Sequence, residues 1–216
     1  IMVNDTDGAS TGWSTYDDVI TVTNNNPLLS NYDLSYSSIL RTNTTVIGMN
    51  TTDIEDIESI HTVLVQYRAS SGGWQTSYLS TVWYDSFDSR WETNFTPTSS
   101  AVLGYYDIRI MVNDTDGSST GWSTNNNIID VDNNKPLLEN YSISSDSIER
   151  TNTTVISVNS TDVEDIESIH TIVVQLRSSE SSWSTDDLST VWYNSSAYRW
   201  ETNFTPSTTA DLGLYD

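Results

Sequence analysis

Hydrophobic and polar residues alternate with a period of two in several short stretches of the chain. In residues 61–68, for example, Val63 and Val65 fall on one face, and Leu64 and Gln66 fall on the other. Successive side chains of a β-strand point to opposite faces, so this alternation predicts strands with one buried and one solvated face. Further strands are predicted at residues 45–50, 79–84, 91–96, 106–113 and 129–131.

Residue usage favours strands over helices throughout the chain. Strand-forming residues and Ser, Thr and Asn dominate, and long helix-forming runs of Ala, Leu, Glu and Lys are missing. We therefore expect an all-β fold in which short antiparallel strands form a two-sheet sandwich. The residues predicted to lie in its core are Ile47, Val63, Val65, Trp91, Phe95, Ile108, Ile110, Val112 and Ile129.

The whole pattern repeats along the chain. Residues 1–8 and 110–117 have the same sequence, and the offset between them is 110 − 1 = 109. The same offset matches Pro27 with Pro136, without insertion or deletion in between. A fixed period predicts one structural unit copied in tandem. Because a period of this length matches the size of a domain, we expect consecutive domains rather than a solenoid.

The repeat divides the chain into three parts. Residues 27–135 are predicted to be a complete unit, 1–26 the closing strands of a preceding unit, and 136–216 a unit lacking its last strands. Two arrangements would complete that last unit: a covalent chain continuing past Asp216, which the sequence favours, or a segment donated by a separate subunit. In both, a segment like 1–26 completes a unit like 136–216 from head to tail. Such a contact does not close on itself, so copies joined in this way form an open filament.

Residues 106–117 and 129–136 resemble the closing strands and linker of cadherin-like and PKD-like repeats. The cadherin linker reads Asp-x-Asn-Asp-Asn-x-Pro, and residues 130–136 match it at three defined positions and exchange Asp and Asn at two. Residues 158–165 are also similar to repeats of archaeal surface proteins. The resemblance implies tandem immunoglobulin-like antiparallel β-sandwich domains, repeating with the period found above, from a prokaryotic, archaeal cell-surface protein.

Charge and composition exclude several partners. The formal net charge is −22 and Lys135 is the single lysine, so no basic patch can form for nucleic acid or an anionic membrane. No apolar run approaches membrane-spanning length, so we expect no membrane insertion in this segment. Cysteine is absent, which excludes disulfides and thiol chemistry.

A catalytic motif occurs by pattern only. Residues 8–12 and 117–121 fit G-x-S-x-G, which marks a nucleophile when it lies on a strand-turn-helix of a parallel sheet. Here it falls in a loop between antiparallel strands, and we interpret it as a Gly/Ser turn. The two histidines, His61 and His170, occupy one repeat position and are interpreted as packed strand residues. We expect no enzymatic activity, no catalytic residue and no organic cofactor site.

Carboxylates are concentrated in two predicted loops and in the linker between units. In an immunoglobulin-like sandwich both loops lie at the end where the chain enters the domain, and calcium takes about six to eight oxygen ligands. We expect calcium there, bound more strongly where Asp130 and Asp132 precede a unit than where Thr21 and Thr23 do; the alternative is a solvated acidic end without an ion. The candidate ligands are Asp53, Glu55, Asp56, Asp114, Asp116, Asp130, Asp132, Asp162, Glu164 and Asp165.

The chain contains ten N-x-S/T sequons. Asn50, Asn94 and Asn113 fall on strand faces opposite the apolar residues, where a sugar could be accommodated. We expect N-linked glycans and an extracellular or cell-surface location, although a chain rich in Ser, Thr and Asn also forms sequons by chance. The candidate sites are Asn4, Asn43, Asn50, Asn94, Asn113, Asn140, Asn152, Asn159, Asn194 and Asn203.

The tryptophans separate two hypotheses for function. Trp13 and Trp122 lie in the acidic loop, where each could stack on a sugar or on a neighbouring domain. An adhesin or carbohydrate-binding module, with cell-surface glycans as partners, predicts one specialised domain, whereas both copies share these positions. We therefore expect a non-catalytic structural repeat of an extracellular glycosylated filament, surface layer or stalk, and copies of the same chain as partners.

Overall fold

A computed structural model describes residues 1–18, 20–75, 79, 81–179, 181–183, 188 and 190–216. Within these residues the chain forms β-strands and two single-turn 3₁₀ helices, at Glu58–Ile60 and Glu167–Ile169. The prediction of an all-β protein built from antiparallel sheets is therefore confirmed. The strands are β1 (Leu28–Leu34), β2 (Ser38–Leu40), β3 (Thr45–Thr52), β4 (Thr62–Ala69), β5 (Val82–Asp85), β6 (Arg90–Phe95), β7 (Gly104–Asn113), β8 (Ser123–Asp132), β9 (Leu137–Ile143), β10 (Thr154–Thr161), β11 (Val191–Asn194) and β12 (Arg199–Phe204).

Residues 27–135, called unit one, contain two four-stranded sheets. The strand orders are β1-β3-β6-β5 and β2-β8-β7-β4, and all neighbours are antiparallel except β2 and β8. Every strand predicted in this unit is present, but the strand predicted at 79–84 begins at Val82, and residue 80 lies outside the described residues. The sheets add β1, β2 and the polar first half of β8, which were not predicted.

Both sheets of unit one contribute to a single hydrophobic core. Eight of the nine residues predicted to lie inside are buried. Trp91 is the exception, because it packs against the core from its edge, half-buried, and its indole N–H donates to the Glu58 carbonyl at 3.0 Å. The buried apolar residues are Ile39, Ile47, Met49, Val63, Val65, Phe95, Tyr106, Ile108, Ile110, Val112, Ile129 and Val131.

A buried carboxylate joins three strands of unit one. The Oδ1 atom of Asp107 accepts hydrogen bonds from the Asn127 N–H and the Ser70 hydroxyl, both at 2.8 Å, and its Oδ2 atom accepts one from Arg68 Nε at 2.8 Å. Burial raises the pKa of Asp107, but these donors outweigh it and hold the pKa below its ordinary value. Asp107 therefore stays charged and links β7 to β4 and β8.

Residues 136–216, called unit two, contain one sheet among the described residues, with the order β11-β12-β10-β9. Its four strands begin and end one repeat after β1, β3, β5 and β6; for example, 137 − 28 = 109. Residues 171–177, which match β4, form no strand. Val174 and Phe204 are half-buried, whereas the matching Val65 and Phe95 are 0% and 1% exposed. One face of this sheet is therefore open.

Residues 1–26, called the leading segment, form no strand within their described part. The backbone folds on itself through an Asn4–Ser10 bridge and a hydrogen bond from the Ser14 N–H to the Ile1 carbonyl at 2.8 Å. Ile20 and Val22, predicted to lie in a last strand, are 81% and 91% exposed, and no strand in the described part of the chain pairs with them. No helix in the described residues is long and apolar enough to cross a membrane.

Candidate functional site at the joints between units

Three segments meet where the chain enters unit one: the linker at residues 24–26 and the loops at 53–58 and 114–118. The Asn24 amide donates to Asp114 Oδ2 at 2.7 Å and to Ser118 Oγ at 3.1 Å. Asn25 donates to Glu55 Oε1 through its backbone N–H at 3.3 Å and through its side-chain amide. The linker is thus fixed to unit one by side-chain contacts with both loops.

Local turns position these carboxylates. Asp114 Oδ1 accepts the N–H groups of Asp116 and Ser118 at 3.0 and 2.8 Å, and Gly117 supplies the left-handed residue of that turn, with φ of 93°. Thr115 donates to Asp56 Oδ2 through its N–H at 3.0 Å and its hydroxyl at 2.7 Å. These bonds hold the two acidic loops together.

Each joint has one buried carboxylate oxygen that is available to a cation, the first in the loop at 53–58 and the second one repeat later, where residues 133–135 enter unit two. Asp53 Oδ2 and Glu164 Oε2 are buried, and neither has a hydrogen-bond partner among the described residues. The N–H of Glu55 lowers the pKa of Asp53, and the Glu164 side chain and N–H lower the pKa of Asp162. These aspartates remain ionised at neutral pH, as calcium ligands must be.

The second joint, at residues 133–135, repeats the first. Asn134 donates to Glu164 Oε1 through its N–H at 3.3 Å and its amide at 2.6 Å, as Asn25 does to Glu55. Here the linker also contacts unit one, since the Asn134 amide donates to the Arg41 carbonyl at 3.0 Å and Arg41 Nη1 donates to Asn133 Oδ1 at 3.0 Å. The second joint is therefore held from both sides.

The structure does not bring every candidate ligand together. Asp53, Glu55, Asp56 and Asp114 belong to the hydrogen-bonded cluster at the first joint, whereas the side chain of Asp116 is exposed beside it. At the second joint, Asp162 and Asp165 line a surface pocket with Asn133. Asp130 and Asp132 lie on β8 beside β2, and within the described residues no hydrogen bond links them to Asp162, Glu164 or Asp165.

Sequence reasoning missed a further acidic group near the β5–β6 turn. The carboxylate oxygens of Asp85, Asp88 and Glu92 lie within 4.8 Å of one another. Arg90 Nη2 lies 2.7 Å from Glu92 and 3.9 Å from Asp88, and Arg90 Nη1 lies 2.9 Å from Asp33. The hydrogen bond to Glu92 raises the pKa of Arg90, so the guanidinium supplies the cation itself. We interpret this group as an ion-pair cluster.

The histidines and the G-x-S-x-G residues serve local packing. His61 is 3% exposed, and its Nδ1 atom lies 2.8 Å from the Thr51 hydroxyl; His170 makes the same contact with Ser160 at 2.7 Å. The Oγ atom of Ser119 accepts the Gly121 N–H at 3.0 Å, and Ser10 makes the matching contact. The G-x-S-x-G stretches at 8–12 and 117–121 are therefore Gly/Ser turns, as the sequence predicted.

Four of the sequon asparagines differ in whether the side-chain amide nitrogen already donates a hydrogen bond. Asn94 and Asn203 are exposed on β6 and β12, and neither amide donates a hydrogen bond within the described residues. Asn50 and Asn159, also one repeat apart, donate to the carbonyls of residues 89 and 198 at 3.3 and 2.7 Å. Asn94 and Asn203 are thus free for attachment of a sugar, whereas Asn50 and Asn159 would first lose a hydrogen bond.

Trp122 packs against Arg109. The Arg109 Cζ atom lies 4.4 Å from the centroid of the Trp122 ring and 4.7 Å from that of the Trp74 ring. In unit one this tryptophan is part of a cation–π stack rather than an open platform for a ligand. Trp13, which matches it in the leading segment, is exposed.

Comparison with known proteins gives no family for this chain. No protein-family model matches it, and no curated protein matches it.

Proposed function

We propose that the protein is a non-catalytic structural module in which tandem immunoglobulin-like units, one to each repeat of the sequence, build a stiff extracellular filament, surface layer or stalk. The archaeal cell surface, glycans on the exposed sequons and copies of the same chain as partners belong to this proposal. It rests above all on one observation: the same asparagine–glutamate pair, Asn25 with Glu55 and Asn134 with Glu164, fixes the linker to the following unit at both joints.

Strand order supports an immunoglobulin-like unit. The orders β1-β3-β6-β5 and β4-β7-β8 correspond to the A-B-E-D and C-F-G sheets of that fold. The Tyr106 hydroxyl, at the start of β7, donates to the Val102 carbonyl at 2.9 Å, as the tyrosine corner of such domains does. Tyr215 makes the matching bond to Asp211 at 3.2 Å. The sequence contained this signal in the tyrosine of each repeat, but reasoning from strand patterns missed it.

The joints support stiffness. Asn25 and Asn134 each give two hydrogen bonds to a glutamate carboxylate, Glu55 or Glu164, and a hydrogen bond to a charged group contributes about 1.5–3 kcal/mol. At the second joint the linker is also bonded to unit one through Arg41, so a change of the angle between the two units would break bonds on one side or the other. Repetition of one angle along a chain produces a rod, which suits a filament or stalk.

Calcium at the first joint forms part of the proposal. Asp53, Asp56 and Asp114 come from two loops that already meet, and Asp53 Oδ2 is buried without a partner. A divalent cation there would offset the mutual repulsion of these carboxylates. The ion would then stiffen the same joint that Asn25 fixes.

The test is small-angle X-ray scattering of the unglycosylated chain at concentrations where it is monomeric. We expect the wild-type protein and the control Glu139→Ala, an exposed change on β9, to scatter as one rigid body. The double variant Asn134→Ala and Glu164→Ala should scatter as two units in many orientations. Wild-type scattering that already requires many orientations would refute the proposal.

The alternative of an adhesin or carbohydrate-binding module has less support. Its best candidate platform in unit one, Trp122, is already stacked on Arg109. Exposed Trp13 has the same place in the repeat, so neither position is specialised for a ligand.

A further inference from the structure

The turn between β5 and β6 presents one aromatic side chain to solvent. Phe87 is 93% exposed, and its N–H donates to Asp85 Oδ1 at 2.8 Å, which fixes the backbone of the turn. The matching residue of unit two is Ser196, so the ring is not needed for the fold that the two units share. Single exposed rings are common on protein surfaces, so the surroundings of Phe87 decide whether it has a partner.

Carboxylates surround Phe87. The carboxylate oxygens of Asp85, Asp88 and Glu92 lie within 4.8 Å of one another. Arg90 lies 2.7 Å from Glu92 and 3.9 Å from Asp88, but its single charge leaves this group at −3 + 1 = −2. In unit two, asparagine and alanine stand at the positions of Asp85 and Asp88. The turn of unit one therefore combines an apolar ring with negative charge, and the turn of unit two does not.

A groove at the second joint is complementary to this turn. It has a volume of about 490 Å³ and is lined by apolar side chains from both units, Leu40, Leu137 and Val163, and by Lys135. A cavity of about 150 Å³ already holds a benzene ring, so the groove has room for a phenylalanine side chain.

Lys135 is a cation without a partner in the described part of the chain. Each arginine donates a hydrogen bond to a carboxylate, amide or carbonyl oxygen. Lys135 is exposed, and among the described residues it makes neither a hydrogen bond nor an ion pair. The matching residue at the first joint is Asn26, so this cation, like the Phe87 ring, occurs once in the repeat.

The groove is a property of the joint itself. Leu137 is 60% exposed, and the matching Leu28 is 63% exposed in unit one, which has both of its sheets. Leu40 belongs to unit one and is 39% exposed with unit two beside it. These apolar side chains are therefore exposed in a complete unit as well.

Phe87 and the groove lie at opposite ends of unit one. Asn50, near the end of β3, donates to the Ser89 carbonyl at 3.3 Å, so the turn lies beside that end. Leu40 lies at the other end, because its carbonyl accepts the Asn43 N–H at 3.1 Å and β3 begins two residues later. The eight residues of β3 separate the two ends by roughly 25 Å. The ring therefore does not reach the groove of its own chain.

We propose that Phe87 of one copy of this chain inserts into the joint groove of a second copy, where Lys135 pairs with the carboxylates of the turn. The proposal deepens the self-association proposed above, and rests on it, by naming the two surfaces that meet. The ring supplies apolar contact, and the charges restrict the approach, because Asp162 also lines the groove and repels the same carboxylates.

Zero-length coupling by a carbodiimide tests the contact directly, because Lys135 is the single lysine of the chain. Unlabelled and isotope-labelled chains are mixed, coupled and digested for mass spectrometry. We expect a product of twice the 24.2 kDa chain mass, in which Lys135 of one chain is joined by an amide bond to Asp85 or Asp88 of the other. Links from Lys135 only within its own chain, or to carboxylates spread evenly over the second chain, would overturn the proposal.

A variant of the ring tests the apolar part of the contact. Phe87→Ser gives the turn of unit one the residue found in unit two, and it should reduce the yield of that link about tenfold, since the buried ring is lost. The control Tyr198→Ser removes a ring that is 71% exposed in the matching turn of unit two, and the yield should stay unchanged. Equal yields from Phe87→Ser and the wild type would contradict the proposal.

Exchange of charge tests the ionic part, with light scattering against concentration as the measurement. We expect the wild-type mass to rise with concentration and Lys135→Glu to abolish the rise. Adding Asp88→Lys to Lys135→Glu should restore it, because the two charges then attract again. A wild-type chain that stays at 24.2 kDa at every concentration, or a double variant that stays monomeric, would overturn the proposal.

Failure here is distinguishable from failure of the proposed function. A stiff two-unit scattering profile without the link from Lys135 would remove this contact but leave the rod. Formation of the link by a chain whose joint is flexible would do the reverse.

Discussion

Phe95→Ala should destabilise unit one far more than Phe204→Ala destabilises unit two. The two phenylalanines occupy the same repeat position, on β6 and β12. Phe95 is the largest fully buried side chain among the described residues, whereas Phe204 is half-buried on the open face of the sheet of unit two. The pair therefore compares one substitution in a closed core and in an open one, with neighbouring sequence held nearly constant.

The magnitudes follow from the contacts. The Phe95 ring lies 5.0 Å from the ring of Tyr67 and 5.4 Å from that of Tyr106, and its removal leaves a cavity that the core cannot fill. Phe→Ala changes of this kind cost about 3–5 kcal/mol. Phe204 has Tyr215 at 5.5 Å, but its exposed side leaves no closed cavity, so we expect a loss of about 1 kcal/mol.

Urea unfolding followed by circular dichroism and tryptophan fluorescence measures both losses, at concentrations where the chain is monomeric. Equal losses for the two variants would refute the inference that the core around Phe95 is closed by β7 and β8 whereas the face around Phe204 is open.

Three further predictions concern charge, sugar and metal. Asp107 has a folded pKa below the unfolded value of about 3.9, so its contribution to stability is present above that pH and is lost as pH falls through the folded pKa. Asp107→Asn should therefore reduce the decrease in the free energy of unfolding as pH falls through this range, measured by urea unfolding at several pH values. Peptide mass spectrometry of the native protein should find a glycan on Asn94 at higher occupancy than on Asn50, and bare Asn94 would contradict this. Calcium should raise the melting temperature of the wild type more than that of Asp53→Asn; equal shifts would remove the site.

Sequence alternation was enough to predict the strands whose faces differ in burial. β4 and β7 carry buried β-branched residues at alternate positions, and both were found although Leu64 and Met111 interrupt the polar side of the pattern. β1 was missed because it pairs only with β3 and is largely exposed, so its pattern is weak. β2 is three residues long and exists because it pairs in parallel with β8, which no local pattern reveals.

The acidic joint was predictable in outline but not in detail. Carboxylates in two loops indicated a shared end, and the structure joins Asp56 to Thr115 across those loops. The donors that fix the linker, Asn24 and Asn25, lie in a run of identical asparagines, where composition alone points to a loop. Trp91 was predicted inside because it alternates with the core, but its indole N–H needs an acceptor and finds one at the edge.

Differences between the two copies of the closing strands argue that the leading segment is built to be buried on one face. The positions that face the core in unit one, Ile129 and Val131, carry the same residues at 20 and 22. The outward neighbours Asp130 and Asp132 are replaced by threonine at 21 and 23. A segment that stayed in solvent would have no reason to keep Ile and Val at alternate positions while its other positions change. Residues 20–23 retain the apolar side alone, as a strand packed on one face does, whereas residues 1–8 and 11–15 retain both sides.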